Sequence, residues 1–395
     1  MKQLGVASAV DASVTTVGGF GIYIHWPFCT TKCPYCDFNS HVAEAWDPAN
    51  WVDAYTQQIK HFAEVLPGRT LDSIFIGGGT PSLMPVALVE GILDTVMACW
   101  STAPELEVTL EANPGSSDLA RFQGYRRAGV NRISLGVQAL DDGDLRSLGR
   151  THSAFDALRA VDMAIATFPH VNTDLIYGRQ FQSVSAWEAE LRRVLSLKVE
   201  HLSLYQLTIE PETVFAKRLE KGHLPGLPEE QASLDLLEVT RQLCRDAGLA
   251  NYEVSNWAAP GRESRHNLVY WQSGDYAAVG PGAHGRMTIQ GSRYVVENTR
   301  QPGSWLDGIR NRKTFSQTMK KLSLADWAAE YLMMGMRLTK GISLQRYRAL
   351  AGRDIDQVQI LQLQRLGLIV RSGDNIRTTE HGRLLLNRVI LDLLP

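Results

Sequence analysis

From about residue 20 to residue 255 the sequence alternates short β-rich runs with amphipathic helical patterns, and this alternation restricts the possible folds more than any other feature. Strands that alternate with helices are typical of parallel sheets joined by right-handed crossovers. About six such units are visible, fewer than the eight of a closed barrel. The sequence therefore predicts an α/β fold built on a partial, TIM-like (β/α)6 barrel. The predicted strands are Gly21–His25, Ser73–Ile76, Leu106–Glu111, Arg132–Leu135, Val171–Ile176 and Leu202–Thr208.

Unusual residues follow these predicted strands at their carboxyl ends, where α/β barrels carry their functional groups. Three cysteines follow the first strand, and a glycine-rich run follows the second. Carboxylates and amides lie at the ends of the others. We therefore expect one functional rim on the barrel. Its candidates, in chain order, are Cys29, Cys33, Cys36, Gly77–Pro81, Glu111, Asn113, Gln138, Asp174, Tyr205 and Gln206.

The pattern changes on either side of the barrel segment. Residues 1–19 lack the apolar core of a secretory signal and are predicted to form a flexible arm. Residues 20–255 form the predicted core, and residues 256–320 a connecting region rich in Gly, Pro, Ser and Arg with two short β-like pieces. Residues 321–395 are mainly helical with a hairpin around Gly373, which predicts a winged-helix-like domain closed by one helix over Glu380–Leu394.

Composition excludes several functional classes. The net charge of −2 provides no broad basic field for nucleic acid, and no apolar run approaches the roughly 20 residues of a spanning helix. Five cysteines, three of them clustered, fit a reducing compartment better than a disulfide framework. The sequence therefore predicts a cytoplasmic protein that does not bind nucleic acid and has no membrane span, although peripheral association with a membrane stays open.

The stretch CTTKCPYCDF places Cys29, Cys33 and Cys36 within eight positions. Three thiolates at this spacing can surround one face of an iron–sulfur cube, whose irons normally each take one cysteine. A set of three leaves one iron open to a ligand. The alternative is a zinc site of the Cys3His type, with His25 or His41 as the fourth ligand.

The CxxxCxxC motif after the first strand of a partial barrel resembles that of the radical S-adenosylmethionine (radical SAM) superfamily. The resemblance implies a [4Fe–4S] cluster held by the three cysteines. It also implies that SAM binds the open iron and is cleaved after one electron is supplied by the cluster. By position, the resemblance assigns SAM contacts to Tyr23, Tyr35, Gly78, Gly79, Thr80, Glu111, Gln138, Arg150 and Asp174, and less securely to Gln206.

Several of these residues also have a structural explanation. The glycine run could be a tight strand-to-helix turn, since such turns are common. Glu111 and Asp174 lie within apolar strands and could pair with a neighbouring cation, because buried acids need a partner. Arg150 could be a solvated surface residue. It is the combination of the motifs that favours the cofactor site.

Within the superfamily the chain is most similar to the coproporphyrinogen III dehydrogenase subgroup, through YIHWPFCTTKCPYCDF, IFIGGGTPS, LEANPGS, ISLGVQALDDGDLRSLGR and DLIYG. The true dehydrogenases have a fourth cysteine, in the pattern CxxxCxxCxC, and a longer N-terminal region. Here Phe38 occupies that position and about twenty residues precede the first strand. In both respects the chain resembles the HemW-type branch, whose members are haem chaperones that deliver haem to respiratory proteins. The alternative function is oxygen-independent coproporphyrinogen III oxidation in porphyrin biosynthesis.

Residues His266, Asn267, Tyr270 and Trp271 match the HNxxYW motif of that branch, which the resemblance associates with haem binding. Imidazole is a common axial ligand of haem iron, and aromatic rings offer flat apolar surfaces to a porphyrin. The alternative is a polar turn whose aromatics pack in the core or line the SAM site. His284, in a glycine-rich run, is a second candidate ligand.

The resemblance also implies partners: haem and SAM, haem-accepting respiratory apoproteins, and an electron donor. One departure concerns the rim after the fifth strand. The family continues Ile-Tyr-Gly with Leu-Pro, whereas this chain has Arg179 and Gln180. The additional charge is expected to alter the local loop or ligand access without changing Asp174.

Overall fold

The computed structural model describes residues 17–42, 47–311 and 316–394. Most of the predicted flexible arm, residues 1–16, lies outside the described residues. Within the described part, no helix is both long enough and apolar enough to span a membrane.

The first half of the chain alternates strands and helices as the sequence pattern predicts. The observed elements extend the predicted ones by a few residues at most ends. They are, in order, β1 Phe20–Trp26, β2 Phe28–Cys29, β3 His41–Val42, α1 Pro48–Val65, β4 Thr70–Gly78, α2 Val86–Cys99, β5 Ser101–Ala112, α3 Leu119–Arg127, β6 Arg132–Gln138, α4 Asp142–Ser147, α5 Ala154–Thr167, β7 His170–Tyr177, α6 Val184–Ser196, β8 His201–Gln206, α7 Val214–Glu220, α8 Glu230–Asp246, β9 Ala250–Asn251 and β10 Asn256–Ala258.

Local signals in the sequence fix several helix starts. Asp47 caps α1, because its side chain accepts a hydrogen bond from the backbone N–H of Ala49 at 3.1 Å, and proline follows at the first helical position. Ser153 and Asp156 form a reciprocal capping box at the start of α5. These caps satisfy backbone donors that would otherwise lack partners at the helix ends.

Strands β1, β4, β5, β6, β7 and β8 lie side by side in this order and are all parallel. They form the predicted six-stranded partial barrel. One edge of the sheet is β9, and the other edge is a strand from later in the chain, at Gln317–Lys321. The two edges do not pair, so the sheet is open rather than a closed barrel. The predicted fold class is therefore confirmed.

The segment after residue 260 contains more regular structure than its sequence pattern indicates. The sequence showed only two short β-like pieces there, because glycine, proline and arginine interrupt the periodicity. The elements are α9 Arg265–Trp271, β11 Asp275–Val279, β12 His284–Ile289, β13 Ser292–Asn298, α10 Pro302–Arg310 and β14 Gln317–Lys321.

These later strands extend the barrel sheet beyond its first strand. β11 pairs in parallel with β1, and β12, β13 and β14 follow it as an antiparallel ribbon. The helix α9 contacts both β1 and β4. Residues 256–320, predicted as a connecting region, thus contribute directly to the sheet and to the packing against it.

The C-terminal region has its own hydrophobic core, formed by residues between Trp327 and Leu393. Its hairpin has Gly373 and Asp374 in the loop, and β15 completes a three-stranded sheet, in agreement with the predicted winged-helix-like arrangement. The closing helix is interrupted at Leu385, so the prediction of one continuous helix is wrong. The elements are α11 Leu324–Gly335, β15 Ile342–Ser343, α12 Leu344–Ala351, α13 Gln357–Arg365, β16 Ile369–Ser372, β17 Asn375–Thr378, α14 Glu380–Leu384 and α15 Leu386–Leu393.

Candidate functional site: a thiol-lined cavity at the barrel rim

The three clustered cysteines lie on the loop that begins at the end of β2. A turn closed by the hydrogen bond from the backbone N–H of Cys36 to the carbonyl of Cys33 brings these two residues together. Cys29 is buried and its sulfur accepts a hydrogen bond from the Thr80 hydroxyl at 3.4 Å. Burial raises the pKa of the Cys29 and Cys36 thiols. A cationic group bound beside them would favour the thiolates.

The zinc alternative finds no support in the arrangement of the histidines. Both ring nitrogens of His25 are engaged, one with the Tyr23 hydroxyl at 2.9 Å and one with the carbonyl of Asn39 at 2.9 Å. Burial lowers the pKa of His25 to about 4. Among the described residues, no three His, Cys, Asp or Glu side chains converge on a point where a single ion could sit.

The glycine run after β4 packs directly under the cysteine loop. The backbone N–H of Gly79 donates to the carbonyl of Trp26 at 2.6 Å, and a Cβ at Gly79 would lie 2.6 Å from the carbonyl oxygen of Phe28. Gly78 has a φ of 116°, in the region that favours glycine, and a Cβ there would meet His25. These glycines are thus required for the close approach between β4 and the strand that leads into Cys29.

Two carboxylates face the cavity beneath the cysteines, and within the described part of the chain neither forms a salt bridge. Glu111 accepts one hydrogen bond, from the backbone N–H of Gly78 at 3.0 Å, and burial together with the charge of Asp174 raises its pKa to about 8. Burial also raises the pKa of Asp174 to about 6, although hydrogen bonds from neighbouring side chains oppose the shift. Two carboxyl groups with raised pKa values provide a binding site for a cation or for hydroxyl donors.

Gln138 and Arg150 form the opposite wall. Gln138 has a φ of 67°, uncommon for a non-glycine residue, at an irregularity in the pairing of β6 with β7. Arg150 donates to the carbonyl of Gly136 at 3.0 Å and points a second nitrogen at the sulfur of Cys33, 3.6 Å away. Its Nε is buried and has no hydrogen-bond partner. This wall therefore places a positive charge beside Cys33.

These elements enclose a cavity of about 410 Å³. Its lining combines three thiols, two partly buried carboxylates that form no salt bridge within the described residues, an arginine and the glycine run. This set fits a sulfur-ligated cluster together with a ligand that carries cationic, carboxylate and hydroxyl groups, as SAM does. The predicted residues that line it are Cys29, Cys33, Tyr35, Cys36, Gly78, Gly79, Thr80, Pro81, Glu111, Asn113, Gln138, Arg150, Asp174, Tyr205 and Gln206.

Other predicted residues do not line this cavity. Tyr23 lies deeper, in contact with His25 and stacked on Phe75. His284 is exposed, with its Nδ1 3.9 Å from Glu297. The HNxxYW residues lie on α9, which packs on β1 and β4 away from the cavity. These are His266, Asn267, Tyr270 and Trp271.

His266 is 1% exposed, and both its ring nitrogens are hydrogen-bonded. Nδ1 lies 2.8 Å from the Ser73 hydroxyl and Nε2 lies 2.6 Å from the Tyr270 hydroxyl. Tyr270 in turn packs edge-on against Tyr276. In this arrangement the imidazole has no free nitrogen for a metal.

Some residues of the site were missed by sequence reasoning. Ser134 lines the cavity and donates to Asp174 at 3.2 Å. It lies two positions before Gly136 in β6, so strand alternation could have identified it. Arg179 was noticed only as a departure from the family. Its side chain donates to the carbonyl of Ile176 at 2.6 Å and forms ion pairs with Asp144 and Glu190.

An open parallel barrel with three cysteines at its carboxyl rim, above buried carboxylates and a glycine run, defines a protein of the radical SAM class. Comparison with known proteins agrees. The profile described as the radical SAM superfamily matches residues 23–194, and the profile of the HemN C-terminal domain matches residues 322–385.

Individual relatives refine this assignment. The chain is 37% identical over 374 residues to the protein named heme chaperone HemW of Escherichia coli (strain K12), covering 93% of this chain and 96% of that protein. It is 35% identical over 384 residues to the mitochondrial radical S-adenosyl methionine domain-containing protein 1 of Bos taurus, covering 94% and 87%. The structure of coproporphyrinogen III oxidase (HemN) from Escherichia coli superposes with a TM-score of 0.81 at 21% identity, covering 98% and 92%, which shows the shared fold. The chain belongs to the radical SAM superfamily and, within it, to the HemW-type subgroup.

Proposed function

We propose that this protein is a haem chaperone: it holds a [4Fe–4S] cluster and SAM in the rim cavity, binds haem, and delivers haem to respiratory apoproteins in the cytoplasm. The observation that carries the proposal is the similarity along nearly the whole chain to relatives named as haem chaperones, from Escherichia coli and from Haemophilus influenzae at 36% identity. Phe38, where the dehydrogenases have a further cysteine, supports the same choice.

Within this proposal the cavity residues have distinct roles. Cys29, Cys33 and Cys36 would hold the cluster, which when bound supplies an electron to a ligand at its open iron. Glu111 and Asp174, which are partly buried and form no salt bridge within the described residues, would bind the positive and hydroxyl groups of SAM. Arg150 would bind its carboxylate. An external electron donor would be needed only if SAM is turned over.

The haem contacts predicted at His266, Asn267, Tyr270 and Trp271 stay a prediction. Binding of iron by His266 would require its ring to leave Ser73 or Tyr270 and the helix α9 to move away from the barrel. Haem contact through this segment therefore implies a local opening, whereas a haem site at the cavity mouth, around the exposed Phe38, requires none.

The experiment is anaerobic reconstitution of the full chain, followed by parallel assays. Titration with haemin should shift and intensify the Soret band to a defined stoichiometry, and haem should then appear in an added respiratory apoprotein. Incubation with coproporphyrinogen III, SAM and reductant should give no protoporphyrinogen. A protein that shows no Soret change but forms protoporphyrinogen would contradict the chaperone proposal and support the alternative dehydrogenase function.

A further inference from the structure

The helix α9 is seated inside the barrel on a buried carboxylate. Glu107 on β5 accepts hydrogen bonds from the Ser264 hydroxyl at 3.2 Å and from the backbone N–H groups of Arg265 and His266 at 3.2 and 3.1 Å. The same carboxylate pairs with Arg132 on β6 at 2.9 Å, and both side chains are almost fully buried. The amino-terminal turn of α9 is thus fixed to two barrel strands beneath the candidate SAM site.

From that position His266 packs against Phe75, a residue on the side of the barrel that also carries Glu111. The imidazole stacks on Phe75, with ring centroids 5.0 Å apart and planes 22° from parallel. Phe75 lies directly below Gly77, where an added Cβ would be 2.8 Å from the Phe75 ring and 3.1 Å from Oε2 of Glu111. Gly21 lacks a side chain where a Cβ would approach His266 to 3.1 Å, which leaves room for the imidazole. The Phe75 ring and Oε2 of Glu111 thus both border Gly77, and the imidazole packs against that ring.

The neighbouring residue Asn267 is connected to Asp174 by hydrogen bonds. Its amide donates to the Tyr252 hydroxyl at 3.4 Å, which lies 2.9 Å from Nε2 of His201. The other ring nitrogen of His201 lies 2.5 Å from the Asn172 side-chain oxygen, and the Asn172 amide donates to Asp174 at 2.7 Å. Because each of these side chains is at least partly buried, water competes little with the chain.

The two adjacent residues of the motif thus reach the two carboxylates of the cavity by separate routes. From this geometry we infer that His266 and Asn267 are positioning residues for the SAM site: His266 fixes Glu111 through Phe75, and Asn267 fixes Asp174 through Tyr252, His201 and Asn172. The inference rests on the proposed binding of SAM in the rim cavity. It assigns the motif a role that does not require contact with haem.

The test measures the affinity of SAM for the reconstituted full chain by calorimetry, with no haem present. The variants His266→Ala and Asn267→Ala should each weaken SAM binding by about five-fold or more, the effect expected from one lost buried contact. Iron content per chain should stay equal to that of the unmodified protein. Arg265→Gln is the matched control, because its side chain pairs with Glu105 at the surface, and it should leave the affinity unchanged.

Conservative variants separate positioning from general damage. Tyr252→Phe keeps the ring but removes the hydroxyl that joins Asn267 to His201, so it should weaken SAM binding as Asn267→Ala does. The double variant should be no worse than either single one, since both interrupt one chain. His266→Phe keeps a flat ring under Phe75 and should restore most of the SAM affinity lost in His266→Ala, although phenylalanine cannot bind iron.

The possible outcomes distinguish a positioning role from a haem-binding role and from failure of the proposed SAM site. Unchanged SAM affinity in the His266, Asn267 and Tyr252 variants would overturn the inference while leaving the proposed SAM site intact. Loss of haem binding alone in both His266→Ala and His266→Phe would assign the motif to haem and also overturn it. If the unmodified protein itself fails to bind SAM, the proposed function is wrong and this inference falls with it.

Discussion

The rim of the barrel and the floor beneath it are built from similar residue types but differ in how their polar groups are satisfied. At the rim, Glu111 and Asp174 are partly buried and form no salt bridge within the described residues. On the floor, Glu107 is paired with Arg132 and caps α9, and both nitrogens of His266 are bonded. A carboxylate that has no salt-bridge partner beside a cavity can take a cation from a ligand, whereas the carboxylate of Glu107 already has its partner in the protein and serves as a support.

The comparison of rim and floor also applies to the two family motifs. Two motifs of the same family need not act at the same place in the molecule. The cysteine motif forms the wall of the cavity, whereas the HNxxYW segment lies below it and contacts it only through other side chains. The position of a residue relative to the cavity, rather than its membership of a motif, decides the expected effect of a substitution. Substitutions in the wall should affect the bound cluster, and substitutions below it should affect the stability of the protein or its affinity for SAM.

The largest expected effect is at the rim. Replacement of Cys29, Cys33 or Cys36 by serine should abolish the iron–sulfur absorbance and reduce the iron content to background, because a three-cysteine set has no spare ligand. Measurement of iron per chain and of the visible spectrum after reconstitution checks this. Cys99→Ser, half-buried on α2 outside the cavity, is the control. Full iron content in all three variants would remove the basis of the cluster assignment.

A second prediction concerns Arg179, which joins the segment after β7 to α4 and α6 through its ion pairs with Asp144 and Glu190. Arg179→Leu leaves Glu190 buried without its cation, and we expect a loss of about 3 kcal/mol in the free energy of unfolding. The melting temperature of the reconstituted protein should fall by several degrees. The control is Arg192→Leu on α6, whose ion pair with Glu188 is exposed. An equal, small change in both variants would show that Arg179 does not brace the rim.

A third prediction concerns pH. The pKa of Glu111 is raised to about 8 by burial and by Asp174, so the free site is protonated at neutral pH. A cationic ligand binds the ionised form better, which lowers this pKa on binding. SAM affinity should therefore rise with pH, by about ten-fold between about pH 6.5 and pH 8.5, and fall as the pH drops.

The control for the pH effect is Glu111→Gln, which cannot ionise and should bind SAM with little dependence on pH above the pKa of Asp174, about 6. Calorimetric titrations at several pH values, in buffers of equal ionic strength, provide the measurement. The same pH dependence in Glu111→Gln as in the unmodified protein would assign the titration to another group.

The smallest effect should come from the cavity mouth. Phe38 is 57% exposed, so Phe38→Ala should change the free energy of unfolding by no more than about 0.5 kcal/mol. Thermal unfolding with equal iron content tests this. A large loss of stability would mean that Phe38 packs as a core residue and does not belong to an open rim.

Much of this architecture could be predicted because its signals are local. The strand–helix alternation and caps such as Asp47 depend on residues close together in the sequence. The prediction that functional residues gather at one end of the parallel strands also used only the residues directly after each strand. After residue 260, the predicted β-like pieces at 276–279 and 293–297 correspond to β11 and β13, whereas α9, β12, α10 and β14 were missed. The strands β12 and β14 are stabilised by pairing with their neighbours in the sheet, and glycine, proline and arginine interrupt the local pattern. The break at Leu385 lies within an apolar run that reads as continuous helix, so its local pattern did not reveal it.

The sequence by itself determined the class of fold and the order of the rim residues, since each follows from periodicity or position after a strand, and it predicts the cysteine ligands. Only the tertiary structure decided that His266 has both nitrogens occupied, that Asn267 is joined to Asp174 through three other side chains, and that Arg179 is an internal brace. These properties depend on contacts between residues far apart in the chain, and periodicity contains no information about which buried polar group meets which partner.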